Sequence, residues 1–385
     1  MPKLPIYMDN HATTPLDKRV LEAMLPFFTG VFGNPASSSH QWGWKAQEAV
    51  EAARREVAGL LGATAREIIF TSGATESNNF AISGVAAVAP AARRHIVMSA
   101  IEHKSVLESA KRLEASGWRA TAAPVRSDGL VDLDALGEIV TGNTALVSVM
   151  AANNEIGVIQ PLAAVSEIAH ARGALLHVDA AQAAGKIPLD VGVLGIDLLS
   201  LTGHKMYGPK GCGALYVRKH VSLAPLLLGG GQERGLRSGT LNVPGIVGVG
   251  RSCAICRAEM PVESVRLRGL RDRLLRGFAA RVELTVNGSL EHRLPHNLHV
   301  SFTGVDGEAL LVAIGDIAVS SGSACASASA TPSHVLRAIM GDRPVPAASI
   351  RFGLGRHTTE DEIDYAIEKF SAVVRHLREV TPAPS

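Results

Sequence analysis

Apolar runs alternate with amphipathic stretches from about residue 66 to residue 217. The apolar runs have the length and composition of β-strands, and they read REIIFTS, RHIVMSA, TALVSVMAAN, ALLHVDA, DLLSLTG and GALYVRK. Apolar residues recur at helical spacing in the stretches between them, such as TESNNFAISGVAAVA, KSVLESAKRLEA and LAAVSEIAHARG. Strands that are apolar on both faces and alternate with helices are typical of a mainly parallel sheet covered on both sides.

Different patterns flank this block. Before it, QEAVEAARREVAGLLG predicts a long amphipathic helix. After about residue 255, a long basic helix leads into further strand and helix candidates, which read VELTVNG, HNLHVSF, GEALLVAIG, IAVSS, SIRFGLG and DEIDYAIEKFSAVVRHL. We therefore predict a large α/β domain over residues 16–254 and a smaller α+β domain formed by residues 1–15 and 255–385.

Composition and charge narrow the classes of protein that fit. Of the 385 residues, 46% are hydrophobic and 19% are charged, which permits a large buried core. The net charge is +2, so the charge balance favours neither nucleic acid nor an anionic membrane as a partner. No segment has the roughly 18 consecutive apolar residues of a membrane span, and the N-terminal residues MPKLPIYMDN do not read as a signal peptide. We expect a cytoplasmic protein.

The four cysteines are too few for a disulfide framework in a chain of this length. Cys253 and Cys256 make a C-x-x-C pattern, but they lie in a helix-like stretch and lack a second ligand pair, so we predict no metal site. Cys212 begins an apolar run and fits a structural role. Cys325 differs, because residues 320–329 read SSGSACASAS and hold no large apolar side chain that would anchor them. We expect a mobile loop that exposes this cysteine, whereas a packing cysteine is normally buried.

Polar residues follow several of the predicted strands, at the edge where ligands bind in open α/β sheets. The turn Thr71–Glu76 opens a helix, where free N–H groups either bind phosphate or are simply capped. The residues that follow the other strands are His103, Asn154, Asp179, Gln182, Thr202, His204 and Lys205. Taken singly, each has an ordinary explanation as a cap, a turn residue or a surface side chain.

Taken together, these residues have the chemistry that pyridoxal phosphate (PLP) requires. Its aldehyde needs a lysine amine, its pyridine nitrogen needs a carboxylate that keeps it protonated, and its phosphate needs N–H and hydroxyl donors. The turn Thr71–Glu76, Asp179 and Lys205 supply these groups at one edge of one predicted sheet. The pattern therefore predicts a PLP enzyme that acts at the α-carbon of an amino acid.

The chain resembles the cysteine desulfurases of the NifS/IscS type along essentially its whole length. The segments that carry the resemblance follow in family order, and they are YMDNHATTP, FGNPASSSH, FTSGATESNN, EHKSV, NNEIGVIQ, HVDAAQAAGKIP, SLTGHKMYGPKG, GGGQERGLRSGT, SSGSACASAS and SIRFGLGRHTTED. The resemblance implies a PLP-dependent transferase of fold type I, the aspartate-aminotransferase fold, that is active as a homodimer.

The resemblance also implies roles for the residues around the cofactor. Lys205 corresponds to the lysine that binds the cofactor and then carries a proton, and Asp179 corresponds to the partner of the pyridine nitrogen. His103 corresponds to the histidine that stacks on the ring and assists proton transfer, and Gln182 to the hydrogen-bond partner of the ring hydroxyl. The residues implied to hold the phosphate are Ala74, Thr75, Thr202, His204 and, from the other subunit, Thr240.

Three further residues are implied to act on the substrate. Asn154 would contact both cofactor and substrate, and Arg351 would bind the substrate carboxylate through two parallel hydrogen bonds. Cys325 would take the sulfur of L-cysteine as a persulfide, leaving L-alanine, and would deliver it to an acceptor protein such as an iron–sulfur scaffold. A loop of small residues would let Cys325 enter the site and leave it again, and would keep its thiolate accessible.

Several alternatives remain open from the sequence. One is a selenocysteine lyase, and another is a different PLP lyase or aminotransferase. The long SSGSACASAS stretch argues against the other major group of desulfurases, whose cysteine segment is shorter. A non-catalytic nucleotide or phosphate binder would use GGGQERG, but this run does not follow a strand and open a helix. Housekeeping relatives carry a tail beyond the position of LREVTPAPS that helps to dock the scaffold protein, so the acceptor stays open.

Overall fold

The structure is a computed structural model that describes residues 2–321 and 333–380. Its strands are β1 (Ile6–Tyr7), β2 (Ile68–Thr71), β3 (His95–Ser99), β4 (Arg119–Ala123), β5 (Thr144–Ser148), β6 (Leu175–Asp179), β7 (Leu198–Thr202), β8 (Gly213–Val217), β9 (Thr285–Val286), β10 (Asn297–Ser301), β11 (Ile317–Ala318), β12 (Ser320–Ser321) and β13 (Ser349–Gly353). Its α-helices are α1 (Lys18–Met24), α2 (Pro26–Thr29), α3 (Gln41–Leu61), α4 (Ala74–Val88), α5 (Lys104–Glu114), α6 (Leu133–Ile139), α7 (Leu162–Ala171), α8 (Val243–Ala279), α9 (Gly307–Ala313), α10 (His334–Met340) and α11 (Glu360–Val380). Within these ranges, no helix has both the length and the apolar character to cross a bilayer.

A seven-stranded sheet of order β2-β8-β7-β6-β5-β3-β4 forms the centre of the larger part of the fold. Neighbouring strands from β4 across to β7 are parallel, and β8 is antiparallel to both of its neighbours. The predicted mainly parallel sheet is confirmed, and all six predicted strands belong to it. The seventh strand, β4, escapes the apolar pattern because it is an edge strand of sequence RATAA, with small and polar residues on a partly exposed surface.

Helices cover both faces of this sheet. Adjacent residues of a strand point to opposite faces, and this alternation separates two cores. Leu199 packs in the core that holds Val50 and Leu61 of α3. Leu198 packs in the core that holds Phe80 and Ile82 of α4. Most side chains on both faces are apolar, and the buried His177 in the middle of β6 is hydrogen-bonded to Ser148 and Ser200 of the neighbouring strands.

A second sheet, antiparallel and of order β12-β13-β10-β9, lies in the smaller part of the fold, where β1 and β11 also form a short parallel pair. Its core contains Phe278, Phe302, Phe352 and Phe370, whose contacting ring centroids lie 4.9–6.3 Å apart. The predicted strand IAVSS is divided between β11 and β12, which belong to different sheets.

Helix α8 connects the two parts. It runs for 37 residues through Pro261, although its sequence reads as two helices. Its first half buries Val249 and Cys253 in the core of the large sheet, and its second half buries Leu270 and Phe278 in the core of the second sheet. The predicted domain limit at residues 254–255 therefore falls inside this helix, near the point where it passes from one core to the other.

The glycine-rich segment GGGQERG is held by a buried ion pair. Arg54 of α3 donates to both carboxylate oxygens of Glu233 at 2.7 and 2.8 Å, and the backbone N–H of Phe70 in β2 donates to the same carboxylate at 2.8 Å. Both charged side chains are almost fully buried. Glu233 and Arg234 also have positive φ values of 49° and 59°, which non-glycine residues seldom adopt. The contacts of this segment thus fasten a tight turn to α3 and β2.

Replacing Glu233 by alanine should lower the free energy of unfolding by about 3–5 kcal/mol, because the Arg54 charge would stay buried without its partner. Urea unfolding of both proteins measures the difference. Glu56→Ala is the matched control, because Glu56 makes its 3.0 Å ion pair with Arg257 at the exposed surface, where a pair contributes about 0–1 kcal/mol. Similar losses in the two variants would contradict a stabilising role for the buried pair.

Candidate active site

A cavity of about 670 Å³ opens at the carboxyl ends of β5, β6 and β7. Its walls include the N-terminal turns of α4 and α5, the residues that follow the three strands, and parts of β13 and α10. The predicted site residues that line it are Ala74, Thr75, His103, Asn154, Asp179, Gln182, Thr202, His204, Lys205 and Arg351. Thr240 is exposed and is not among the lining residues of its own chain. Cys325 lies outside the described residues.

Lys205 is placed by the single-turn 3-10 helix Gly203–Lys205, which follows β7 directly. Its amine donates to the backbone carbonyl oxygens of His11 and, at 2.8 Å, of Ala12. The neighbouring His204 has its Nδ1 atom 3.1 Å from the hydroxyl of Thr13. Burial, together with the nearby charge of Lys205, lowers the pKa of His204 to about 4, so this imidazole is neutral at neutral pH.

Asp179 is the last residue of β6 and is 4% exposed. One carboxylate oxygen accepts from the backbone N–H of Ala181 at 2.9 Å, and the other accepts from the side-chain amide of Asn78 at 2.7 Å. The two donors hold the carboxylate in one orientation, so the site offers a fixed hydrogen-bond acceptor at the end of the central strand.

The N-terminus of α4 forms a cradle of small residues. Its first backbone N–H groups have no partner within the helix and lie at the positive end of the helix dipole. Gly73 precedes the helix with a φ of 146°, and a Cβ there would lie 3.4 Å from the Thr202 hydroxyl. Gly213 of β8 is also required, because its Cβ would lie 2.6 Å from the Cα of Gly73. Backbone donors and the Thr202 hydroxyl thus converge on a space that suits a phosphate.

Arg351 projects from β13 of the second sheet and is 4% exposed. One terminal nitrogen donates to the carbonyl of Asn154 at 2.9 Å, and the other forms an ion pair with Asp9 at 2.9 Å. The Nε atom is buried and has no hydrogen-bond partner among the described residues. A buried donor without a partner is unfavourable.

His103 caps the N-terminus of α5. Its Nδ1 atom accepts from the backbone N–H of Ser105 at 3.2 Å and lies 2.8 Å from the Ser105 hydroxyl. The imidazole thus contacts its own helix through one nitrogen while the residue lines the cavity. A lone histidine after a strand does not reveal this cap from the sequence.

His11 lies in the cavity wall, although sequence reasoning assigns it no role. Its Nδ1 atom is 2.9 Å from the side-chain oxygen of Gln182, and its carbonyl accepts from the Gln182 amide at 3.0 Å. Its Nε2 atom is 3.0 Å from the Asn297 amide. Burial lowers the pKa of His11 well below its usual range, so the ring is neutral. These partners lie 171 and 286 residues away in the chain, and no local pattern indicates them.

Glu155 is a second cavity residue that the sequence does not reveal. It is 6% exposed, and it accepts a 2.5 Å hydrogen bond from Ser333, the N-cap of α10. Burial raises the pKa of Glu155 to about 7. In NNEIG it reads as part of a polar turn, because the side chains that bury it come from distant segments.

The three described cysteines are buried and do not have the exposure of a nucleophile. Cys212, Cys253 and Cys256 are free and buried, and burial raises the pKa of all three thiols, that of Cys212 to about 11. Within residues 2–321 and 333–380, no group of three or more histidine, cysteine, aspartate or glutamate side chains is arranged to hold a metal ion. The cavity instead joins an amine, a carboxylate and a helix N-terminus, a set that fits a phosphorylated aldehyde with a basic ring nitrogen.

Comparison with known proteins shows which family the chain resembles. The aminotransferase class-V family matches residues 6–366. A cysteine desulfurase IscS of Anaeromyxobacter sp. (strain K) is 55% identical over 383 residues, which cover 99% of this chain and 95% of that protein. The solved structure of a NifS-like protein has a TM-score of 0.91 and 41% identity, covering 97% of this chain and 100% of that one. SspA in complex with cysteine has a TM-score of 0.80 and 36% identity, covering 92% and 100%.

These similarities extend over both parts of the fold. The match to the family includes the strand ends that carry Asp179 and Lys205 as well as Arg351 of the second sheet. The structural likeness likewise covers almost all of the chain, so it is not confined to the large sheet. The chain therefore belongs to the class-V aminotransferases and, within them, to the cysteine desulfurase family.

Proposed function

We propose that the protein is a cysteine desulfurase that binds PLP and converts L-cysteine to L-alanine. The sulfur passes to Cys325 as a persulfide and then to an acceptor protein. The observation that carries this proposal is the placement of Lys205, Asp179 and the α4 N-terminus around one cavity, with Arg351 in its wall. The 55% identity with a protein named cysteine desulfurase supports the same reaction.

The residues of the cavity fit PLP by their chemistry. Lys205 would bind its aldehyde, Asp179 its ring nitrogen, and Ala74, Thr75 and Thr202 its phosphate. Gln182 would meet the ring hydroxyl with an N–H, because its side-chain oxygen already faces His11. When bound, the cofactor supplies an electron-withdrawing ring next to the α-carbon of the substrate.

The substrate is held by groups of the second sheet and of the loop after β5. The guanidinium of Arg351, which lines the cavity, would donate to the carboxylate of L-cysteine, while the bonds to Asn154 and Asp9 keep it in place. The amine of Lys205 would be the base that removes the α-proton and later returns a proton to carbon. Its contacts with the backbone of His11 and Ala12 keep the amine within the cavity.

Cys325 is the proposed nucleophile toward sulfur. Its thiolate attacks the sulfur of the bound cysteine, so that an S–S bond forms while the C–S bond breaks. The electron pair of the C–S bond stays with the carbon skeleton, which leaves as alanine after protonation. The three described cysteines do not suit this step, because burial raises the pKa of each thiol and the thiolate is the reactive form.

The acceptor that we propose is an iron–sulfur scaffold protein, in keeping with the IscS name of the relatives. We also propose a cytoplasmic location. The buried free thiols at Cys212, Cys253 and Cys256 support it, since unpaired cysteines are typical of a reducing compartment.

We further propose that two copies of the chain form a homodimer. Large apolar side chains that are more than half exposed cluster between residues 25 and 44, and they are Leu25, Phe28, Phe32, Trp42 and Trp44. Such patches mark protein–protein contacts. A second copy also gives Thr240 a role, because this exposed residue could then reach the cavity of its partner.

Cys325→Ala should keep PLP bound, with the yellow absorption that a lysine-bound cofactor gives, but should form alanine and sulfide roughly a thousandfold more slowly, as expected for the loss of a nucleophile. Both products are measured from L-cysteine with a reductant present. Cys212→Ala is the matched control and should remain active, because that thiol has a pKa of about 11. Lys205→Ala should lose both the colour and the products. Normal turnover by the Cys325 variant would overturn the assignment.

Arg351→Ala should lower kcat/KM for L-cysteine by roughly thirtyfold or more, because losing one partner of a buried charge pair removes about 2–5 kcal/mol. Steady-state alanine release at several cysteine concentrations measures the change. Arg337→Ala provides the control, since Arg337 also lines the cavity but is exposed; its loss should change kcat/KM by about fivefold or less. Equal values for the Arg351 variant and the wild type would refute carboxylate binding.

Phe32→Glu should weaken dimer association by roughly thirtyfold or more if Phe32 is a buried anchor of the interface. Sedimentation equilibrium over a range of protein concentrations measures the dissociation constant. Val193→Glu is the control, because Val193 is also exposed but lies outside the patch of residues 25–44. A monomeric wild type would contradict the dimer, and an unchanged Phe32 variant would place the interface elsewhere.

A further inference from the structure

Asn78 joins two functional groups of the cavity although it does not line the cavity itself. It lies in α4 and is 0% exposed. Its side-chain nitrogen donates to Asp179 Oδ2 at 2.7 Å and to Ser105 Oγ at 2.8 Å. Ser105 in turn contacts Nδ1 of His103 at 2.8 Å. One amide group thus links the carboxylate at the end of β6 with the imidazole at the start of α5.

The chemistry of the groups determines which atom donates in each of these hydrogen bonds. The carboxylate of Asp179 only accepts, so the nitrogen of Asn78 must face it, since the amide oxygen there would oppose another acceptor. The second N–H of the same nitrogen then donates to Ser105. Nδ1 of His103 accepts from the Ser105 backbone N–H, so it carries no proton, and the Ser105 hydroxyl directs its own proton to it. Neutral His103 therefore carries its proton on Nε2.

Asparagine is the side chain that meets these demands. It offers two N–H donors on one atom at short reach, whereas serine offers one donor and aspartate would place a second negative charge beside Asp179. The arrangement leaves the amide oxygen of Asn78 buried and without a partner in the described part of the chain. An unfulfilled buried acceptor is unfavourable, so the orientation is maintained by the two donated bonds.

We propose that Asn78 is a positioning residue, which holds Asp179 and fixes the tautomer of His103 through Ser105. This inference rests on the proposed function only in assigning Asp179 and His103 to the cofactor. The hydrogen-bond relay itself is a property of the chain without PLP, and it is therefore testable in the absence of cofactor.

The first test measures the tautomer of His103 in the full chain freed of PLP, by NMR of protein with ¹⁵N-labelled histidine. In the wild type, the proton should lie on Nε2. In Asn78→Leu, the Ser105 hydroxyl is released and can accept from Nδ1–H, so the population of the Nδ1–H tautomer should rise even though the Ser105 backbone N–H stays close to Nδ1. Asn79→Ala is the matched control, because the Asn79 side chain donates to the Thr75 carbonyl of its own helix, and the His103 signals of this variant should match the wild type.

The second test separates the bond from Asn78 to Asp179 from the link through Ser105 to His103. It measures the dissociation constant of PLP by titration of the same cofactor-free proteins. Asn78→Leu should weaken PLP binding by about tenfold or more, since a hydrogen bond to the charged Asp179 is lost. Ser105→Ala breaks only the branch to His103, so its PLP affinity should stay within about twofold of the wild type while the tautomer changes. If Asn78→Leu does not fold, Ser105→Ala still tests the link to His103. In the double variant, the tautomer should be no more mixed than in Asn78→Leu alone.

A wild-type tautomer in both Asn78→Leu and Ser105→Ala would overturn the relay. Wild-type PLP affinity in a folded Asn78→Leu protein would overturn the role toward Asp179. Failure of the proposed desulfurase reaction would affect neither measurement, because neither depends on turnover.

Discussion

The parallel pairing of β5, β6 and β7 is the constraint on which the site depends. Their residues are buried between layers that are mostly apolar on both faces, so the ionisable side chains of the site lie at the last residue of a strand or beyond it. Parallel strands end at the same edge. The end of β6 therefore brings Asp179 beside Thr202 and Lys205, which the end of β7 carries. The reactive groups are close together because the rest of the sheet excludes them.

The site becomes complete only where the second sheet meets this edge. The N-terminal segment connects the two, since Asp9 pairs with Arg351 of β13, His11 contacts Gln182, and Thr14 donates to the carbonyl of His204. Helix α8 passes through both cores and holds the two sheets in one arrangement. A shift of one sheet against the other would thus separate the group proposed for the substrate carboxylate from the groups proposed for the cofactor.

What the sequence predicts well is what local pattern and family motifs encode. The strands are recognised because they are buried on both faces, and the ends of these strands locate Asp179 and Lys205. The edge strand β4 lacks that burial, and α8 contains a proline in its interior, so neither is recognised as the structure has it. His11, Asn78 and Glu155 escape notice for another reason. Each acts through partners brought close only by tertiary folding, such as Asn297 for His11 and Ser333 for Glu155.

Burial also determines which groups in the cavity carry charge. It lowers the pKa of His204 to about 4 and that of His11 well below its usual range, so two of the imidazoles around the lysine are neutral at neutral pH. The positive charge of the cavity wall therefore comes from lysine and arginine side chains, among them Lys205 and Arg351. A phosphate and an amino-acid carboxylate are both anions and would otherwise compete for the same donors. Separate placement of the helix N-terminus on one wall and Arg351 on another offers each anion its own partner, and Asp179 is a third, separate group, which we propose for the ring nitrogen of the cofactor.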